Sequence, residues 1–131
     1  MDNKFYVSLE AARLLKEKGY DGECEQIIKE DGEILYGYNV NHKLPVISFS
    51  CPTKSEAIDW IESKGIVIEL RYDNDDLHKD DSEWIYYIYQ YDNEGRLYET
   101  VSSWGMGMFY DSRSEAEDAA IIRALKEITK K

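Results

Sequence analysis

Cysteine and histidine are the side chains through which this chain could perform nucleophilic chemistry, and it contains two of each. A thiol becomes an effective nucleophile when a neighbouring base takes its proton. The best candidate pair is Cys51 with His42, which would make the protein a small hydrolase. However, the residues around Cys51 read SCPT and match no nucleophile motif. We therefore predict no catalytic residue, and we expect Cys24 and Cys51 to be reduced, buried thiols of a cytoplasmic protein.

Metal ligation is the second chemistry to consider, because residues 73–83 (DNDDLHKDDSE) hold six acids and one lysine. A helix-loop-helix calcium loop requires an oxygen ligand at position five, glycine at six and glutamate at twelve. Counted from Asp73, position five is Leu77 and position six is His78. Position twelve is Trp84, so three requirements fail. We predict a solvated loop that binds no metal, and no motif indicates a cofactor.

The charge balance limits the class of partner. The chain has 27 acidic and 16 basic residues and a formal net charge of −11. Direct binding of nucleic acid is not expected, since phosphate contacts need a basic surface. An acidic protein could instead present its carboxylates to the basic groove of a nucleic-acid enzyme. This inhibitor function is the alternative to the interaction function predicted below.

Large apolar side chains cluster in SSWGMGMFYDS, between a predicted strand and the last helix. Two glycines so close together are unusual in a buried strand, so a surface loop is at least as consistent with the sequence. Exposed tryptophan and methionine often mark contact surfaces, and methionine adapts to irregular partners. The alternative is that these side chains fold back and fill the end of the core. We predict a partner-binding or self-association surface formed by Trp104, Met106, Met108 and Phe109.

The elements that position these residues follow from capping and hydrophobic period. Ser8 can cap a first helix that ends near Lys18 and Gly19. Two strand-like runs then flank an Asp-Gly pair, which predicts a hairpin. A short strand is possible around Val46–Phe49, where Pro45 would restrict it to a sheet edge.

The second half of the chain repeats this kind of pattern. The sequences TKSEAIDWI and SRSEAEDAA share a Ser/Thr-x-x-Glu capping box, so helices are predicted to begin at Thr53 and Ser112. Three strands lie between them: IVIELRY, WIYYIYQY and RLYETVSS. In the middle one, Tyr86 and Ile88 would face one way and Tyr87 and Tyr89 the other, and both faces are apolar or amphipathic, which is typical of a central strand. One face would meet the helices, and the other would show tyrosine rings to solvent, to a loop or to a partner. We interpret the repeated SEA as shared helix capping rather than as a duplicated site.

The order AARLLKEKGY, a hairpin, CPTKSEAIDWI, GIVIEL, WIYYIYQY and YDSRSEAEDAAIIRALKEI resembles a group of small uncharacterised proteins. Gut bacteria of the Bacteroides type, their phages and their mobile elements encode this group. The similarity runs from about residue 7 to residue 128. It implies a compact α+β domain with phage or mobile-element ancestry, and it transfers no activity or functional residue to this chain.

The sequence therefore predicts one α+β domain over residues 1–131. Its sheet would be mostly antiparallel, with about five strands and three helices in the order α-β-β-α-β-β-β-α. No apolar run approaches the roughly 20 residues that span a bilayer, so no membrane association is expected. The predicted function is a non-enzymatic, cytoplasmic protein-interaction module.

Overall fold

The computed structural model describes residues 4–73 and 83–128, which form three α-helices and six β-strands. The elements in chain order are α1 (Leu9–Glu17), β1 (Cys24–Lys29), β2 (Ile34–Asn39), a 3-10 turn (Asn41–Lys43), β3 (Ser48–Ser50), α2 (Lys54–Ser63), β4 (Ile66–Asp73), β5 (Glu83–Tyr91), β6 (Leu97–Ser102) and α3 (Arg113–Glu127). Within these ranges, no helix combines the length and the apolar character needed to cross a membrane.

The strands form two antiparallel sheets, in the orders β2-β1-β3 and β4-β5-β6. The α+β class and the three helices are confirmed, whereas the prediction of one sheet with about five strands is wrong. The order is also corrected, because β3 adds a strand before α2. This strand has only three residues, so it leaves little periodic pattern in the sequence. It lies at a sheet edge and begins after Pro45, as the sequence suggested.

The first hairpin has a three-residue turn that fixes its register. Lys29 N donates to Glu33 O at 2.8 Å, and Gly32 N donates to Lys29 O at 2.8 Å. Gly32 has a φ of 91°, a conformation that favours glycine. The next pairs along the ladder are Ile28 with Ile34 and Ile27 with Leu35. The Asp-Gly pair therefore marks the turn, as predicted.

Helix capping explains the repeated SEA sequence. Thr53 Oγ1 accepts from Glu56 N, and the Glu56 carboxylate accepts from Thr53 N, which completes a capping box. At α3, Ser112 Oγ accepts from Glu115 N at 3.1 Å, which is the first half of the same arrangement. The two sheets differ in strand order, so the repeat reflects similar helix starts rather than two copies of one fold.

Helix α3 holds the two halves of the fold together. It packs against α1 and α2 and also against β4 and β5, whereas β1 and β3 pack on α1. The row of Ala116, Ala120 and Ala124, which are spaced four residues apart, is fully buried. Alanine lets a helix approach its neighbours closely because it places only a methyl group between the backbones.

Two polar contacts reinforce this packing over long sequence separations. Lys54 Nζ donates to Ser114 Oγ at 2.6 Å and to Ser114 O at 3.0 Å, although the lysine is almost fully buried. Asp118 Oδ1 accepts from Ser8 N at 3.0 Å. The first contact links the starts of α2 and α3, and the second links the start of α1 to α3.

Replacement of Ala120 by leucine is expected to lower the free energy of unfolding by about 1–3 kcal/mol, because three extra carbons would overpack this contact. Urea unfolding measures the change. Ala119→Leu is the matched control, since Ala119 is only partly buried and its environment can adjust. Equal stability of Ala120→Leu and the wild type would contradict the buried packing of this row.

Candidate functional site

The predicted contact residues lie on a loop that is attached at both ends to the central strand β5. We call residues 104–109 the apolar loop. At its start, Ser103 N donates to Tyr86 O and Ser103 Oγ accepts from Tyr86 N, both at 2.9 Å. At its end, Trp84 and Tyr110 exchange two main-chain hydrogen bonds of 2.8 and 3.0 Å. The loop therefore leaves β5 and returns to it only two residues away, so its ends are close together, as in an Ω-loop.

Hydrogen bonds within the apolar loop define its path. Met108 N donates to Ser103 O at 2.8 Å, and Gly107 N donates to Trp104 O at 3.1 Å. Gly105 N donates to Ser102 Oγ at 3.0 Å. Gly107 has a φ of 71°, which side chains with a Cβ rarely adopt. Gly107 therefore allows the chain to turn at this point.

The side chains of the apolar loop remain accessible. The exposed fraction is 60% for Trp104, 42% for Met106, 48% for Met108 and 40% for Phe109. These side chains do not fill the end of the core, which was the alternative suggested by the sequence. All four predicted residues thus lie together on one accessible loop. Their binding of a partner stays a prediction.

Aromatic packing supports the frame of this loop. The rings of Tyr86 and Tyr110 stack with centroids 6.1 Å apart. Burial, together with the neighbouring Tyr110, raises the pKa of Tyr86 to about 12, so its hydroxyl stays protonated at physiological pH. The Arg113 guanidinium lies 5.7 Å from the Trp84 ring centroid. Aromatic packing therefore supports the two ends of the loop, and the Tyr86 hydroxyl does not ionise there at physiological pH.

The candidate nucleophile Cys51 is not paired with His42. Its thiol is buried between Gln26 Nε2 at 3.5 Å and Val7 O at 3.4 Å, whereas His42 is exposed on the 3-10 turn. Burial raises the pKa of Cys51 to about 11, and it also raises the pKa of Cys24. Little thiolate is present at neutral pH, so neither thiol is activated.

The described residues contain no group of three or more His, Cys, Asp or Glu side chains that could hold a metal ion. The acidic stretch 73–83 is described only at its ends, where Asp73 pairs with Glu83 in the β4–β5 ladder. Residues 74–82 lie outside the described part of the chain. The prediction that this stretch binds no metal is therefore not tested.

The outer face of the second sheet carries a polar and aromatic cluster that sequence reasoning recognised only in part. Arg71 lies 4.2 Å from the Tyr87 ring centroid and 2.9 Å from the Glu69 carboxylate. The Tyr89 hydroxyl donates to Glu69 at 2.7 Å. The Glu69 carboxylate thus accepts from both Arg71 and Tyr89, so these contacts hold the cluster together on the sheet face. The strand β5 is central, as predicted. The structure shows that Tyr86 and Ile88 are on the face that meets the core.

A cleft of about 800 Å³ lies where the C-terminal ends of α1, α2 and α3 meet. Lys16 Nζ donates to the carbonyl oxygens of Pro45 and Ser48 at 2.7 and 2.8 Å. Lys18 Nζ donates to Ile128 O at 2.8 Å. These cations satisfy helix-end and loop carbonyls, and the negative ends of the helix dipoles disfavour an anion here. The cleft is therefore a weaker candidate than the apolar loop.

Comparisons with protein-family models, curated proteins and solved structures gave no match to this chain. The resemblance to small proteins of Bacteroides-type bacteria and their phages stays a prediction.

Removal of the buried Ser103 hydroxyl tests the hydrogen bond that attaches the start of the apolar loop to β5. Ser103→Ala leaves Tyr86 N without its acceptor, so the free energy of unfolding should fall by about 1–3 kcal/mol. Ser102→Ala is the control, because its hydroxyl accepts from the exposed Gly105 N and water can replace it. Urea unfolding of both variants provides the measurement. A smaller loss for Ser103→Ala than for Ser102→Ala would contradict the anchor.

The two native thiols should react slowly with a disulfide reagent such as DTNB at pH 8, because both are buried and their pKa values are raised. Unfolding in urea should make both react quickly. His42→Ala should leave the native rate unchanged. Fast native labelling of Cys51 that slows in His42→Ala would instead support a catalytic pair.

Proposed function

We propose that this protein is a non-enzymatic interaction module that binds a protein partner through the apolar loop. One observation carries the proposal: four large apolar side chains remain 40–60% exposed on a loop fixed at both ends. Contact between an apolar cluster and water is unfavourable. Burial of the cluster against a matching partner surface therefore favours binding. The loop is already ordered by its own hydrogen bonds, so binding would cost less conformational entropy than ordering a free segment.

The composition of the loop favours a protein partner. Residues 103–110 carry no charged side chain, although the whole chain has a net charge of −11. Contacts to nucleic acid would require cations at the surface. Tryptophan with flanking methionines instead suits an apolar pocket on another protein, where a buried tryptophan often contributes about 2 kcal/mol or more. A cytoplasmic location and phage ancestry belong to the proposal as inferences from sequence.

Trp104→Ala should abolish partner binding while it leaves the free energy of unfolding within about 0.5 kcal/mol of wild type, because the ring is 60% exposed. A photo-crosslinking amino acid placed at Met108, which is 48% exposed on the same loop, would capture the partner in a lysate while Trp104 is retained. The same amino acid at Val46, which is 86% exposed on another loop, is the control for nonspecific capture. The partner identified in this way should then fail to bind purified Trp104→Ala in a titration.

The opposite results would contradict the proposal. If Trp104→Ala loses several kcal/mol of stability and still binds the captured protein, Trp104 supports the fold and the loop is not the contact. The dependence of partner affinity on salt distinguishes the alternative function, since a charge-mimicking inhibitor should lose its partner as ionic strength rises. An apolar contact should keep its affinity or gain some.

A further inference from the structure

A smaller cavity of about 240 Å³ lies where the first sheet meets the starts of α1 and α2 and the first half of α3. It is separate from the cleft at the C-terminal ends of the helices. Six of the residues that line it are used below: Val7, Gln26, Ile28, Ile34, Lys54 and Asp118. Sites for drug-sized ligands usually measure about 300–1,000 Å³, so this cavity suits a smaller molecule.

The buried side chain of Gln26 has a hydrogen-bond acceptor that the fold does not use. Gln26 is 2% exposed, and its Nε2 donates to Cys51 Sγ at 3.5 Å. None of the described residues donates to its Oε1. In that part of the chain, Arg123 Nε is the one fully buried side-chain atom without a partner, so Gln26 Oε1 must be open to the cavity. A ligand N–H at this oxygen would offset the cost of its burial.

Two side chains of opposite charge line the same cavity, and neither has an ion-pair partner among the described residues. Lys54 is 5% exposed, and its ammonium donates to Ser114 O and Ser114 Oγ, which are uncharged. One of its three N–H donors is thus left over. Asp118 Oδ1 accepts from Ser8 N, which leaves Oδ2. Ser114 precedes Asp118 by one turn of α3, a spacing of about 5 Å.

We propose that this cavity binds a free α-amino acid with an apolar side chain. The ligand carboxylate accepts from Lys54, and the ligand ammonium donates to Asp118 Oδ2 and Gln26 Oε1. A zwitterion is the ligand that pairs both charges of the cavity. A simple carboxylate would leave Asp118 unpaired beside it, and a simple amine would leave Lys54 without an anion.

The remaining wall of the cavity selects the ligand side chain. Val7 and Ile28 belong to the buried core, and Ile34 packs against it. These aliphatic residues favour an aliphatic ligand side chain, because contact with them removes its apolar surface from water. A charged ligand side chain would lose its hydration there without gaining a partner. Leucine is therefore the probe of choice.

Isothermal titration calorimetry with L-leucine tests the site. The wild type should bind it with a Kd of about 1 mM or tighter. Isocaproate is leucine without the ammonium, and isoamylamine is leucine without the carboxylate. Each analogue should bind about tenfold or more weakly than leucine, because it loses charged hydrogen bonds. Trp104→Ala should bind leucine as the wild type does, which separates this site from the apolar loop.

Asp118→Asn tests the role of the aspartate charge, because an asparagine oxygen can still accept from Ser8 N. This variant should lose about tenfold or more of the affinity for leucine. It should bind isocaproate at least as well as the wild type, since a repulsive charge is removed. Lys54→Met should weaken the binding of both ligands. Asp59→Asn is the matched control, because Asp59 is exposed on α2 away from the cavity and should change neither affinity.

Three results would overturn the proposal. The wild type could fail to bind leucine, in which case water alone fills the cavity. Asp118→Asn could bind leucine with unchanged affinity. It could also lose leucine and isocaproate equally, which is the result expected if Asp118 only supports the fold. Urea unfolding establishes that each variant is folded, and the two affinities of Asp118→Asn decide the matter if Lys54→Met does not fold.

Discussion

The close approach of α3 to its neighbours is the packing constraint on which this fold depends. Its buried alanines allow one helix to contact α1, α2 and two strands of the second sheet. The first sheet packs on α1, so its attachment to the rest of the molecule passes largely through the α1–α3 contact. Asp118 and the start of α1 reinforce that contact, as do Lys54 and Ser114 between α2 and α3. Larger side chains in the alanine row would separate all of these elements.

The same constraint determines where an accessible surface can occur. With α3 held against β4 and β5, the chain between β6 and α3 has to travel from the sheet to the start of the helix. It does so through Ser103 and Tyr110, which are bonded to β5, and the residues between them extend outward. The first sheet, in contrast, receives helix packing from α1 and has β2 and β3 as its edge strands.

Local signals in the sequence predicted the local structure well. Capping residues identified the starts of all three helices, and the Asp-Gly pair identified the first hairpin. The division into two sheets was not predictable in this way, because β3 has three residues and its pairing with β1 depends on contacts across the chain. The buried network in which Asn39 Nδ2 donates to Gln26 O and Asn39 Oδ1 accepts from Ser50 Oγ was also missed. Polar residues in a predicted strand and loop give no sign that they will be buried together.

The apolar loop was found because its composition is unusual, but its anchoring came only from the structure. The residues that hold it use main-chain atoms and two serine hydroxyls, and the turn uses Gly107. The shape of the loop therefore does not depend on the identities of Trp104, Met106, Met108 and Phe109. Evolution or protein engineering can exchange these four side chains while the frame is retained. On the function proposed above, a few substitutions in this segment would change the binding specificity while the scaffold is kept.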